Sequence, residues 1–196
     1  WANQYKSINL VADSNDAEHN ESWPRGRTNH YWFDLNRDWL LAIHPESRGK
    51  LNWLHEWYPN VVLDVHEMGT NSNYFFDPMK SSASVKPLIP QENVDLYPIF
   101  AEYYVKYMDS IGSFYYTKES FDETYPGYGS TYSDLQGGLA LLFEQASSRG
   151  HVQETNYGEM TFGFTIRNQF LNGIATVEAA VDNLSLIHIS EPTRRV

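Results

Sequence analysis

Two stretches of closely spaced apolar residues, NVVLDV at 60–65 and LALLFE at 139–144, interrupt a chain otherwise patterned in helical repeats. The first has the length and β-branching of a strand buried on both faces, the kind found inside parallel sheets, and the second reads the same way. Around them the period changes. ESRGKLNWLHEWY (46–58) sets Leu51, Leu54 and Trp57 at helical spacing, and Pro59 stops it. DLYPIFAEYYVKYMDSIG (95–112) repeats apolar residues through Leu96, Ile99, Phe100, Tyr103, Tyr107 and Ile111. Pro98 is expected in its first turn and Gly112 past its end. TFGFTIRNQFLNGIATVEAAV (161–181) reads as a long closing helix. HYWFDL (30–35) and SFYYT (113–117) are shorter strand candidates. Residues 11–29 predict a long polar loop, and YPGYGSTYSDLQGG (125–138) a glycine-rich one. Helices alternating with buried strands predict an α/β sandwich around a mixed, largely parallel sheet flanked by helices.

Composition narrows the partners. At 196 residues and 41% hydrophobic content, the chain is long enough for one sizeable core. A net charge of −11 argues against nucleic acid or an anionic membrane surface, since phosphate binding needs clustered Lys and Arg. No run approaches the ~20 apolar residues of a membrane span. With no cysteine, any metal must be held by His and carboxylates, and redox compartment cannot be read. The opening WANQYKSINL reads like the middle of a domain. At the other end, LSLIHISEPTR (184–194) resembles a translated transposase-type sequencing adapter. The expectation is therefore a partial catalytic domain over 1–183 and a non-native tail over 184–196, with His188 set aside.

Both buried strands run into an ionisable group, VVLDV into His66 and LALLF into Glu144. Ligand crevices of open α/β sheets lie outside the carboxyl ends of the strands. An unpaired charge at the end of a core strand costs several kcal/mol. Singly, each has a structural explanation: a hydrogen-bonded histidine, a helix-capping or ion-paired glutamate. Together, in a thiol-free chain, they suggest a His/carboxylate metal site with a nearby base.

GRTNHYWFDLNRDW (26–39) adds a pattern. Arg27-Thr28-Asn29 followed by Asp34-Leu35-Asn36-Arg37, then LDVHE and LLFEQASSRG in that order, resembles the zinc carboxypeptidases of the carboxypeptidase A-like clan. The resemblance spans roughly residues 25–150. It implies that family's α/β/α sandwich, incomplete at the N-terminus, and a Zn²⁺ cofactor. His66 would be a metal ligand, in a site that keeps one position open for water. Glu144 would be the general base, and Arg27 would face the oxyanion. Asn36 and Arg37 would grip the terminal carboxylate of a peptide or protein substrate, a group the guanidinium fork suits. Tyr125, or else Tyr128, would close over the substrate, and Thr131 falls near the position that sets side-chain preference in relatives. A secreted or periplasmic location is likewise implied by the resemblance.

Alternatives stay open. Asn36 and Arg37 also fit a turn salt bridge with Asp34 or Asp38. Arg25 competes with Arg27, and Glu67 could be an outer-shell group, a substrate contact or simply solvated. The family's other two zinc ligands form an upstream His-x-x-Glu that is lacking here. His151-Val152-Gln153-Glu154 comes after the catalytic strand and reads as loop. The parent protein is thus expected to be a zinc carboxypeptidase, while these 196 residues alone bind zinc weakly and hydrolyse nothing. Other readings are a related zinc deacylase or cell-wall peptide hydrolase, and a catalytically silent binding domain of the same fold.

Overall fold

Strand pairing organises the molecule. The structure, a computed structural model, describes residues 27–80, 88–148 and 151–189, so the polar loop expected at 11–29 falls outside it up to residue 26. Among the described residues the main sheet has four strands: β1 (Val61–Met68), β2 (Tyr74–Phe76), β3 (Tyr115–Tyr116) and β4 (Leu139–Ala146). Their order is β1-β4-β2-β3, with β1/β4 and β2/β3 parallel and β4/β2 antiparallel. The mixed, largely parallel sheet is as expected.

Alternation along β4 and β1 gives each face its cover. Leu139, Leu141 and Phe143, with Val61 and Leu63, pack against α2 (Gln91–Ser110) and α4 (Phe162–Asp182). Tyr104 of α2 meets Phe143 edge-on, with ring centroids 4.9 Å apart, and its hydroxyl lies 3.0 Å from that of Thr176 on α4. On the opposite face, Leu51 and Leu54 of α1 (Pro45–Trp57) cluster with Tyr132 of α3 (Gly129–Leu135) and with Trp39. A small hairpin, β5 (Val152–Thr155) and β6 (Gly158–Thr161), leads into α4. Leu184–Ile189 forms a short helix, α5, and Ile187 joins the larger core cluster.

Several elements differ from the sequence reading. The 30–35 stretch is not a strand: Trp32 has φ 69°, and the Asn29 side chain accepts from the Tyr31 and Phe33 N–H groups to tie a turn. Aromatic density there marks surface rather than sheet, since Tyr31, Trp32 and Phe33 are all exposed. Trp57 is exposed because two further steps of three residues from Leu51 rotate it off the buried face. Helix α2 begins at Gln91, which puts Pro98 in its interior. Pro98 is on the solvent side, where the carbonyl it leaves unpaired can take water. The expected glycine-rich loop contains α3. Its glycines permit close approach: a Cβ on Gly127 would collide with the Tyr125 ring and the Arg37 carbonyl, and one on Gly129 with Asp64 and Trp39.

β1 was expected to be buried on both faces, yet it is only half-buried, and Val65 is 51% exposed. Among the described residues it is an edge strand, whereas β4 has a neighbour on each side. Near that edge, α4 exposes Phe162, Ile166, Phe170, Ile174, Val177 and Val181 along one stripe. No described helix is long and apolar enough to cross a membrane.

Phe143→Ala should lower the unfolding free energy by about 3–5 kcal/mol, while Val65→Ala should change it by less than about 1 kcal/mol. Urea denaturation of both variants checks the contrast. Similar losses would mean that β1 is as buried as β4.

Candidate functional site at the strand ends

Because β1 and β4 run parallel without a bulge, His66 and Glu144 are directly opposed partners in the ladder. Adjacent strands lie ~4.8 Å apart, so both side chains emerge on the same face at neighbouring positions. The two ionisable strand ends singled out in the sequence therefore form one site.

His66 is oriented by a carboxylate two residues before it. Alternate residues share a strand face, and Asp64 Oδ1 lies 2.8 Å from His66 Nε2. The Asn36 amide nitrogen is 3.0 Å from the same Nε2. Two partners compete for one ring nitrogen: a protonated Nε2 donates to Asp64, whereas a bare one accepts from Asn36. The carboxylate wins on charge, and its hydrogen bond raises the imidazole pKa against the opposing effect of burial. With Nε2–H held by Asp64, the neutral ring presents its lone pair at Nδ1.

Asp64 also accepts from the Ser130 N–H through Oδ2, at 3.1 Å, and so joins β1 to the start of α3. Asn36 does similar work from the loop side. Its Oδ1 accepts from Trp39 Nε1 at 3.0 Å and from the Gly129 N–H at 3.2 Å. Trp39 is further fixed by its N–H bond to the Gly127 carbonyl and by the Lys50 ammonium 3.6 Å from its ring centroid. Burial lowers the Lys50 pKa, against the pull of Asp64 and Asp38.

Glu144 differs from Asp64. No side-chain hydrogen bond to its carboxyl occurs among the described residues, and the neighbouring partner on β2 is the fully buried Phe75. That ring packs against Phe121 and Tyr116 at centroid distances of 4.5 and 5.4 Å. This aromatic flank leaves the carboxylate poorly solvated. Burial pushes its pKa up to about 7, with His66 and Arg27 pulling down and Asp64 and Glu67 pushing up. A base poised there accepts and returns a proton near neutral pH.

The remaining expected residues surround this pair unevenly. Arg27 acts electrostatically on both His66 and Glu144, while its Nε donates to Asp34 at 2.8 Å. Asp34 also caps the short 3-10 turn Leu35–Arg37 by accepting from the Asn36 N–H. Arg37 donates to the Asn36 carbonyl at 2.8 Å and stacks 4.5 Å from the Tyr128 ring centroid. Its distance to Asp34 is 4.0 Å, and with the side chain 45% exposed most of its donors have no partner among the described residues. Asp38 is not its partner: it accepts from the Ile43 and His44 N–H groups. Burial would raise the Asp38 pKa, but those bonds prevail and hold it below the usual value.

Tyr125 donates to the Arg37 carbonyl at 3.1 Å and meets Tyr128 edge-on. Both tyrosines thus border the Arg37 side of the site. Thr131 is fully buried. Glu67 leaves the opposite face of β1 and accepts from Ser147 Oγ at 3.0 Å. His151 precedes β5 and Glu154 lies within it. Positions three apart on an extended strand point to opposite faces, which separates this His-x-x-Glu.

Sequence reasoning missed Asp64 and Trp39. The first was legible in LDVHE, because a residue two before the histidine shares its face. Trp39 carried no such signal, since its role depends on contacts with Gly127 and Asn36.

Among the described residues no group of three or more His, Asp or Glu side chains converges in a way that could hold a metal ion. His66 Nδ1 has the chemistry of one zinc ligand, backed by a carboxylate as such ligands commonly are. A complete set would have to draw on residues outside those described. No protein-family model matches the chain, and no curated protein matches it.

Carboxyl-carbon NMR should place the Glu144 midpoint near 7, far above an ordinary glutamate. His66→Ala removes the positive charge that pulls this value down, so the midpoint should rise further. Because the folded chain holds this proton more tightly than the unfolded chain, Glu144's contribution to stability is greatest below 4.5 and is lost as pH rises through about 7. A midpoint at the ordinary glutamate value of 4.5 would remove Glu144 as a neutral-pH base.

Proposed function

We propose that the chain carries the proton-transfer and carboxylate-binding parts of a zinc carboxypeptidase-like hydrolase, acting on the C-terminal bond of a peptide. The observation that carries this reading is the in-register opposition of His66 and Glu144 at the carboxyl ends of parallel strands, with Arg27 acting on both. The motif resemblance supplies the substrate class.

Glu144 takes a proton from the attacking water and returns it to the leaving amine, for which a pKa of about 7 is well placed. Arg27 sits close enough to stabilise negative charge developing on the scissile carbonyl oxygen. Asp64 orients His66 by accepting from its Nε2–H. Arg37, with free donors beside Tyr125 and Tyr128, receives the peptide carboxylate. Asn36 holds Trp39 and the start of α3 through its amide oxygen, and its amide nitrogen stays available beside His66 for the substrate carboxylate. Zinc, when bound, would acidify water and polarise the carbonyl.

Calorimetric titration with an N-acylated peptide, as free acid and as C-terminal amide, tests the reading. The acid should bind more tightly, and Arg37→Ala should weaken it about 10–100-fold while leaving the amide unchanged. Equal binding of the two forms would sink the exopeptidase assignment. Binding of both that is unaffected by His66→Ala and by a chelator would favour a silent binding domain.

A further inference from the structure

Behind α3 lies a second set of acids that the proposed reaction does not use. Asp77 follows β2, Glu123 lies in the segment leading to Tyr125, and Asp134 is on α3; all three are fully buried. Asp134 is well provided, accepting from Asn93 Nδ2 at 2.8 Å, the Tyr97 hydroxyl at 2.8 Å and the Ala140 N–H at 3.0 Å. Asp77 accepts from the Leu142 N–H through Oδ2 at 2.5 Å, while its Oδ1 has no partner among the described residues. Among the described residues neither Glu123 oxygen is within hydrogen-bond geometry of a donor, although the Ser130 hydroxyl acts on this carboxyl, and the buried Thr131 hydroxyl, one helical turn before Asp134, has no partner. None of the three acids is in an ion pair among the described residues.

The groups facing this cluster come from every element around it. Helix α2 gives Asn93 and Tyr97, α3 gives Ser130 and Thr131, β4 gives two backbone N–H groups, and β1 adds only the negative charge of Asp64. Glu123 neighbours Asp134, and each carboxyl shifts the other's hold on a proton, Glu123's upward and Asp134's downward. Two carboxylates cannot bond each other, but a carboxylic acid and a carboxylate can. The donor missing from Glu123 is therefore met if Glu123 carries a proton and gives it to Asp134.

We propose that Asp77, Glu123 and Asp134 form a proton-holding lock that keeps residues 121–135 seated on the sheet and releases them as the cluster loses its protons. The locked segment matters because its other end holds the site. Gly129 and Ser130 donate to Asn36 and Asp64, and Tyr125 and Tyr128 border Arg37. Burial drives all three acids towards the protonated form, Asp134 to about 6 and the other two well above the ordinary range. A group with a raised folded value favours the folded state most below its unfolded value, here about 4, and that advantage is lost as pH rises through the folded value.

The melting temperature of the chain should fall by about 3–8 °C between about pH 5 and about pH 8. Glu123→Gln supplies a permanent donor to Asp134, so it should flatten this slope and protect the Ser130 and Tyr132 amides from hydrogen exchange at the higher pH. Glu144 itself loses stabilisation as pH rises through about 7, so the comparison is made in a Glu144→Gln background, where the slope that remains belongs to the cluster and Glu123→Gln should flatten it. Infrared spectra of the Glu144→Gln background at neutral pH should show a protonated-carboxyl stretch that weakens when Glu123→Gln is added, and that loss reports the proton directly if melting is complicated by another transition. Absence of the band, or stabilisation of the unsubstituted chain at the higher pH by added calcium or sodium with no change in Glu123→Gln, would overturn the proposal in favour of a cation in the cluster.

Discussion

Burial of β4 on both faces and along both edges is the constraint from which the rest of the arrangement follows. Its ladder with β1 is unbroken from Val61↔Leu139 to Met68↔Ala146. Leu139, Leu141 and Phe143 commit one set of alternating positions to the core under α2 and α4, and the other set is then obliged to face α3. A slip of one residue would turn His66 into the core and bring Val65 to the place opposite Glu144. The apolar packing of one face thus specifies which ionisable groups meet on the other.

Carboxyls are used in two ways on either side of α3. Glu144 stands in a partly open position against an aromatic wall, with no side-chain hydrogen bond among the described residues, and burial makes it hold its proton to about 7. Asp134 reaches about 6 despite four donors and near-donors, because burial outweighs them. Asp64 lies between the two regions, committed to a histidine and a helix start. Environment, rather than residue type, sorts these acids.

The long elements and the two ends of the site could be read from sequence, while the supports between them could not. Strand β4 and helix α4 have periods that only one secondary structure satisfies, so their limits came within a residue or two. His66 and Glu144 were legible because a charge ending a core strand demands a reason. Helix α3 was hidden by its glycines, which suggest a loop until their neighbours are known. The hairpin of β5 and β6 has no alternation strong enough to announce it. The aromatic run at 31–33 misled because exposed aromatics and sheet aromatics look alike in one dimension. Asn36 was assigned to substrate on motif grounds, and only the folded contacts reveal that its amide oxygen also holds Trp39 and Gly129.

Asn36 and Asp64 fasten three stretches that lie far apart in the chain. Asn36 reaches 93 residues ahead to Gly129, and Asp64 reaches 66 ahead to Ser130. Contacts of such separation carry a large loop-closure cost and tend to form late, after local helices and neighbouring segments have done so. They are also the contacts that a local opening of seven-residue α3 would break while β1 and β4 stayed paired. The site therefore has a shorter lifetime than the sheet that presents it: it is completed after the fold is largely made, and can be lost before the fold is lost.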